Sequence, residues 1–197
     1  VDSGSTKSEW AFVDDNQTIF ANSGGINPAS QSDQSFIFDS TFPKELFSRA
    51  QKIYFYGAGI KSEESKSYIK QLFQTLNYVG EIEAMSDLLG AARACCKNEQ
   101  GLVGILGTGS NICWYNGACI QQKSPALGYI LGDEGSGFQI GRAILKSYFY
   151  GNMPLEIKTL FEKKYRLTLD EVLINTYKKP GNNAYIAAFT GFLREVN

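Results

Sequence analysis

The chain contains no histidine. That absence removes Ser–His triads and most zinc chemistry, so a general base must come from Asp, Glu, Lys, Tyr or Cys. Cysteine is scarce: Cys95, Cys96, Cys113 and Cys119 offer no CxxC spacing, and the vicinal pair suits zinc poorly. They read as free, mostly buried thiols in a reducing cytoplasm. Neither sign of charge dominates, with 19 basic and 20 acidic residues and a net charge of −1. Nothing there forms an electrostatic footprint for nucleic acid or an anionic membrane. The longest apolar runs are strand-sized, well short of the ~20 residues a spanning helix needs. No charged and apolar pair of segments marks a signal peptide. The chain opens at Val1 rather than Met, and a short preceding piece is expected. Neither a GxxxxGK[ST] loop nor a GxGxxG turn between strand and helix occurs, which speaks against P-loop and Rossmann readings.

What is present is a set of Gly-rich turns. The first is Asp2-Ser3-Gly4-Ser5-Thr6-Lys7-Ser8 and the second is Gly107-Thr108-Gly109-Ser110-Asn111. An acidic loop, Leu131-Gly132-Asp133-Glu134-Gly135-Ser136-Gly137, opens a helix-like segment. Glycine lets backbone N–H groups approach an anion, and Ser and Thr add hydroxyl donors. Two such turns facing each other can hold successive phosphates of one nucleotide.

The pattern along the chain is that of an α/β protein. Residues 8–13 and 17–22 alternate around Asp14-Asp15-Asn16 and predict a β-hairpin. Pro28 forces Asn27 out of helical geometry, which suits an exposed binding side chain. Residues 32–51 read as helical in part, with a break near Pro43; 52–56 read as a strand, and 62–77 as a helix capped by Ser62. A strand over 82–85 runs through Ser86-Asp87 into a helix over 88–97. Residues 102–106 form a buried-strand run, and Asn116-Gly117 predicts a two-residue hairpin joining 111–115 to 118–122. Helical periodicity covers 136–150, 154–165, 170–178 and 183–196. Both halves follow one plan of strand, Gly/Ser/Thr turn, hairpin and helices. That predicts two similar α/β lobes with a cleft between them, residues 1–100 and 101–197.

Single residues admit plain readings. Asp87 suits either a helix N-cap or a base at the strand edge where α/β sheets bind ligands. Asp133 and Glu134 suit a solvated loop, yet Gly128, Gly132, Gly135 and Gly137 crowd around them. That density costs backbone entropy and argues for close approach of a ligand. Lys7 suits a surface charge and Asn27 a turn cap. Trp10 and Trp114 read as core.

Taken together, the first Gly turn, Gly24-Gly-Ile-Asn27, Ser86-Asp87-Leu-Leu-Gly-Ala-Ala, the second Gly turn and the acidic loop resemble the N-acetylglucosamine kinases. More broadly they resemble the BadF/BadG/BcrA/BcrD ATPase group of the actin and sugar-kinase superfamily. The resemblance implies two actin-like (ribonuclease H-like) lobes. It implies ATP and Mg²⁺, with Asp2 helping to hold the metal. Gly4, Ser5, Thr6 and Lys7 would meet the β- and γ-phosphates from one lobe, and Gly107, Thr108, Gly109 and Ser110 the phosphates from the other. Asp87 matches the catalytic base; Asn27 and Asp133 match sugar-hydroxyl binders, with Gly128 in the same pocket. The family's later adenosine segment is not found before Asn197, so the second lobe is expected to be incomplete.

The implied activity is ATP-dependent phosphorylation of an amino sugar, N-acetylglucosamine at its 6-hydroxyl first. A small-molecule sugar is the expected partner, without nucleic acid or membrane and with room for a homodimer. Two alternatives stand beside it: a nucleotide- and sugar-binding regulator without turnover, and a dehydratase-activator ATPase with a cysteine-held cluster.

Overall fold

A computed structural model describes residues 1–4, 7–28, 38, 40–122 and 124–196. The chain divides into two compact units, residues 1–103 with 113–121 and residues 104–112 with 122–197. Among the described residues no helix is long and apolar enough to cross a membrane.

The first unit is built on a five-stranded sheet in the order β3-β2-β1-β4-β5. Its strands are β1 (Asp2–Ser3), β2 (Lys7–Val13), β3 (Thr18–Gly24), β4 (Lys52–Gly57) and β5 (Glu81–Ser86). The expected hairpin is β2 with β3, antiparallel from Lys7↔Gly24 to Val13↔Thr18. β1 runs antiparallel to β2 but parallel to β4, and β4 is parallel to β5. The helices are α1 (Lys44–Arg49), α2 (Glu63–Thr75) and α3 (Asp87–Cys96). Of the segment 32–51 read as partly helical, the described portion places α1 directly after Pro43; residues 32–37 and 39 lie outside the described residues. Ser62 caps α2 as expected, taking the Ser65 N–H while Ser65 returns the bond in a capping box. An aromatic core of Trp10, Phe42, Phe47, Phe55, Phe73 and Tyr78 lies under the sheet. α3 comes close to β4 because Gly90 leaves room for the Tyr56 ring, whose carbons would sit 2.8 Å from a Cβ there.

Strands β6 (Gln100–Leu106), β7 (Ser110–Asn116) and β8 (Ile120–Gln121) form a second sheet in that order. The hairpin lies one residue from the sequence expectation: Tyr115 pairs with Ile120, so Gly117-Ala118 form the loop. The reason is Asn116, whose Oδ1 accepts the Ala118 and Cys119 N–H groups, while Gly117 takes φ +94°. Glycine at the first loop position is the requirement of a II′ turn. Trp114, read as core, is 41% exposed, because Cys113 and Tyr115 take the inward face of β7.

The second unit is mostly helical: α4 (Gly128–Leu131), α5 (Gly137–Phe149), α6 (Leu155–Lys164), α7 (Leu169–Tyr177) and α8 (Asn182–Ala188). A 3₁₀ helix, Phe189–Glu195, takes over where the periodicity predicts one continuous helix to 196. Phe138, Leu145, Phe161, Val172, Ile186, Phe189 and Phe192 form its core. α5 and α8 pack unusually close. A Cβ on Gly141 would collide with the Ile186 carbonyl, and one on Gly137 would lie 3.0 Å from Gly107 O and 3.2 Å from Ala187 Cβ.

Backbone cannot swing aside as a side chain does, so Gly141→Ala is expected to destabilise by about 1–3 kcal/mol through overpacking. Urea unfolding measures this, and an unchanged midpoint contradicts the packing argument.

Candidate active site

In the register of the first sheet, Ser3 lies beside Gly57 and Gly57 beside Ser86. The carboxyl ends of β1, β4 and β5 are therefore level. Open α/β sheets bind ligands at such an edge. Two carboxylates stand on it: Asp2 in β1 and Asp87 just past β5.

Asp87 is not the cap of α3. Ser86 is, its hydroxyl accepting the Leu89 N–H at 3.2 Å. The Ser-x-x spacing before an apolar run could have revealed this. With capping assigned to Ser86, Asp87 becomes the first helical residue, and its Oδ1 accepts the Leu88 N–H at 2.8 Å. Burial pushes the Asp87 carboxyl above its ordinary value; the Leu88 N–H pulls it down, the Asp2 charge pushes it up, and Lys61 pulls it down. A half-buried carboxylate with raised proton affinity suits a general base.

Asp2 is exposed at the same edge. Among the described residues no cluster of three or more acidic or cysteine side chains forms a cage. One or two carboxylates are what Mg²⁺ takes from a protein when waters and phosphate oxygens fill its octahedron. As an exposed carboxylate at this edge, Asp2 could serve as such a ligand.

The first Gly turn is closed by Gly4 N–H donating to Lys7 O at 3.0 Å. Ser5 and Thr6 lie outside the described residues. Lys7 Nζ donates to Glu9 Oε1 at 2.5 Å on an exposed surface. Next to this turn, the Ser3 hydroxyl accepts the Ile26 N–H at 2.9 Å and lies 3.0 Å from Ile26 O. Ile26 is fully buried. Asn27, half-buried, is thereby fixed beside the end of β1. No sequence signal distinguished Ser3 from other turn serines.

In the second unit the other Gly turn is joined to the acidic loop by backbone. Gly137 N–H donates to Gly107 O at 2.8 Å, and Phe138 N–H to Thr108 O at 3.0 Å. A trans peptide carries its C=O and N–H on opposite sides. The next N–H groups, those of Thr108 and Gly109, therefore point away from α5. Ser110 donates its hydroxyl proton to Glu134 O at 2.8 Å. Gly107 is exposed and a Cβ on it would meet nothing within 4 Å; the same open space lies over Gly128. The two N–H groups and the bare Gly107 backbone form a surface an anion can approach closely.

Asp133 adopts φ +58°, rare for a residue other than glycine. Its carboxylate covers Gly109, where a Cβ would lie 2.5 Å from Oδ2. Gly135, at φ +74°, gives its N–H to Gln139 Oε1 at 2.6 Å. Gln139 was missed in the sequence, although Ser136-x-x-Gln139 has the spacing of a capping box. Within this unit the structure brings Gly107, Thr108, Gly109, Ser110 and Asp133 together; within the first it brings Asp2, Gly4, Asn27 and Asp87 to one edge.

The raised Asp87 proton affinity has a consequence for stability. A carboxyl whose folded pKa lies above the unfolded one stabilises fully below the unfolded pKa and loses that contribution as pH rises through the folded pKa. Ionised Asp87 is thus a cost at neutral pH. Asparagine keeps the bond from Leu88 N–H and removes the charge. Asp87→Asn is expected to melt at or above the wild-type temperature at pH 7, with the difference closing below about pH 4. A variant clearly less stable at pH 7 contradicts this.

No family model matches the chain. An N-acetylmuramic acid/N-acetylglucosamine kinase of Clostridium acetobutylicum is 36% identical over 95 residues, covering 46% of this chain and 31% of that protein. The alignment thus spans under a third of that relative. A solved structure from Porphyromonas gingivalis, assigned as an N-acetylglucosamine kinase, superposes with a TM-score of 0.82 at 33% identity, covering 99% of this chain and 71% of its own. A Chromobacterium violaceum structure with the same assignment shares the fold at TM-score 0.63 and 14% identity, over 100% of this chain and 73% of that one. The mixed α/β architecture is shared with these two solved structures. By its identity to the Porphyromonas protein and the share of that protein it covers, the chain belongs to the N-acetylglucosamine kinase family.

Proposed function

We propose that the protein transfers the terminal phosphoryl group of ATP to an amino-sugar hydroxyl, with the 6-hydroxyl of N-acetylglucosamine as first choice. The observation that carries this reading is Asp87, free of capping duty and raised in proton affinity, on a sheet edge shared with Asp2. Likeness to proteins named as N-acetylglucosamine kinases supports it. The two units are taken as actin-like lobes of the BadF/BadG/BcrA/BcrD kind.

In this mechanism the sugar hydroxyl oxygen bonds to the γ-phosphorus. Its proton goes to Asp87, and the bond to the β–γ bridging oxygen breaks with its electron pair leaving on ADP. Such transfers need in-line positioning and charge neutralisation more than covalent help. The Thr108 and Gly109 N–H groups bind phosphate oxygens, as does the first Gly turn, Gly4 with Ser5, Thr6 and Lys7. Asn27 and Asp133 bind sugar hydroxyls, and Gly128 contributes bare backbone to the sugar site. A bound Mg²⁺ would supply further neutralisation of phosphate charge.

A coupled ADP-release assay against hexoses and N-acetylhexosamines tests the proposal. N-acetylglucosamine is expected to give the highest kcat/KM. Asp133→Ala is expected to raise the sugar KM about 10–100-fold, the cost of a hydrogen bond to a charged group. Gly109→Ala, by displacing the Asp133 carboxylate, is expected to raise it in the same direction. ADP release with none of the sugars overturns the kinase; unchanged KM in both variants removes Asp133 from the sugar site.

A further inference from the structure

The loop after β4 leaves the sheet between the ends of β1 and β5, the strands that carry Asp2 and lead into Asp87. It is tightly held. Ala58 N–H donates to Ser3 O at 2.8 Å, Gly59 turns at φ +81°, and Ile60 is 4% exposed. Lys61 follows, its N–H given to Ser65 Oγ at 3.1 Å, and Ser62 N–H goes to the same oxygen at 3.0 Å. The backbone of Lys61 is thus pinned on both sides, at a ligand-binding edge.

Its charge is in the wrong place for stability. Lys61 directly precedes the N-cap of α2, a position at the positive end of a helix dipole, where a cation is disfavoured. Among the described residues no ion pair includes Lys61, although Glu63 and Glu64 are close in sequence; Glu63 pairs with Lys66 instead. Its charge reaches Asp87, pulling that carboxyl against the effect of burial. A cation without an ion-pair partner, on a pinned backbone and with its charge felt by Asp87, breaks a local rule, and such breaks cluster at functional sites.

We propose that Lys61 binds the terminal phosphoryl group of the nucleotide, touching its oxygens as the group moves from the bridging oxygen to the sugar. This rests on the kinase reading and adds a residue to it. Lys61 follows the strand between those that carry Asp2 and lead into Asp87, on the edge where the proposed base takes the acceptor proton, so it meets the γ-phosphate and not the two phosphates that remain on ADP. An ammonium at this point also offsets the negative charge that Asp2, Asp87 and the phosphate oxygens accumulate.

The test compares wild type, Lys61→Ala and Lys61→Arg in the whole protein. Calorimetry gives Kd for a non-hydrolysable ATP analogue and for ADP, and the ADP-release assay gives kcat. Lys61→Ala is expected to weaken the triphosphate analogue about 10–100-fold, the range for a hydrogen bond to a charged group, with ADP affinity kept. Its kcat is expected to fall while the sugar KM stays, and Lys61→Arg to recover part of both losses. Equal loss of ADP and analogue, or no loss of either, overturns the proposal. If the wild type transfers no phosphate to any sugar, the kinase reading fails separately, and the two Kd values still decide whether Lys61 meets a third phosphate. Melting temperatures of the variants identify any loss due to misfolding.

Discussion

The hydroxyl of Ser3 holds the first unit's edge together. It is fully buried, 2.6 Å from Ser8 Oγ, and bonded to both backbone groups of Ile26. A buried hydroxyl without partners is costly, so these contacts are made together or not at all. Through them β1, β2 and the loop before Pro28 share one geometry. Ser3 O also accepts Ala58 N–H, which extends the same node to the loop carrying Lys61. Asp2, Gly4, Asn27 and Lys61 are each within a few residues of an atom bonded to Ser3 or next to it in sequence. Residues on this edge are therefore positioned by a strand end tied down by buried hydrogen bonds rather than by their own loops.

The second unit solves the same task with backbone. The N–H groups that begin α5 do not wait for a ligand; they bind the Gly107 and Thr108 carbonyls. That orients the peptides of the Gly turn and turns their N–H groups outward. α5 itself is seated against α8 at Gly137 and Gly141, and Thr190 Oγ1 donates to Gly137 O at 2.8 Å. The acidic loop is fixed from both ends, by Ser110 on Glu134 O and by Gln139 on Gly135 N–H. Asp133 is held in its strained conformation by these ties.

Much of this was legible in the sequence. The β2–β3 hairpin, the Ser62 cap, the strand through Ile82 to Met85 and the glycine turns follow from alternation, capping pattern and turn chemistry, which are local. What was not legible depends on distant contacts. Ser3 becomes a buried node only when Ile26 folds over it. Trp114 faces out because its neighbours Cys113 and Tyr115 found the interior. The 3₁₀ end of the chain departs from helical periodicity at Phe189, whose ring is drawn into the core with Phe161 and Tyr165. Asp87 was read as either cap or base; Ser86 took the cap through a side-chain bond that composition alone does not assign.

In the proposed reaction Asp87 accepts the sugar proton. Turnover and ATP-analogue binding of Asp87→Asn, measured on one preparation, test it most directly. A positioned general base contributes roughly 10²–10⁴-fold to rate. A loss of kcat in that range is expected with nucleotide affinity nearly unchanged, since the base meets the acceptor and not the phosphates. Near-normal turnover in Asp87→Asn would contradict it.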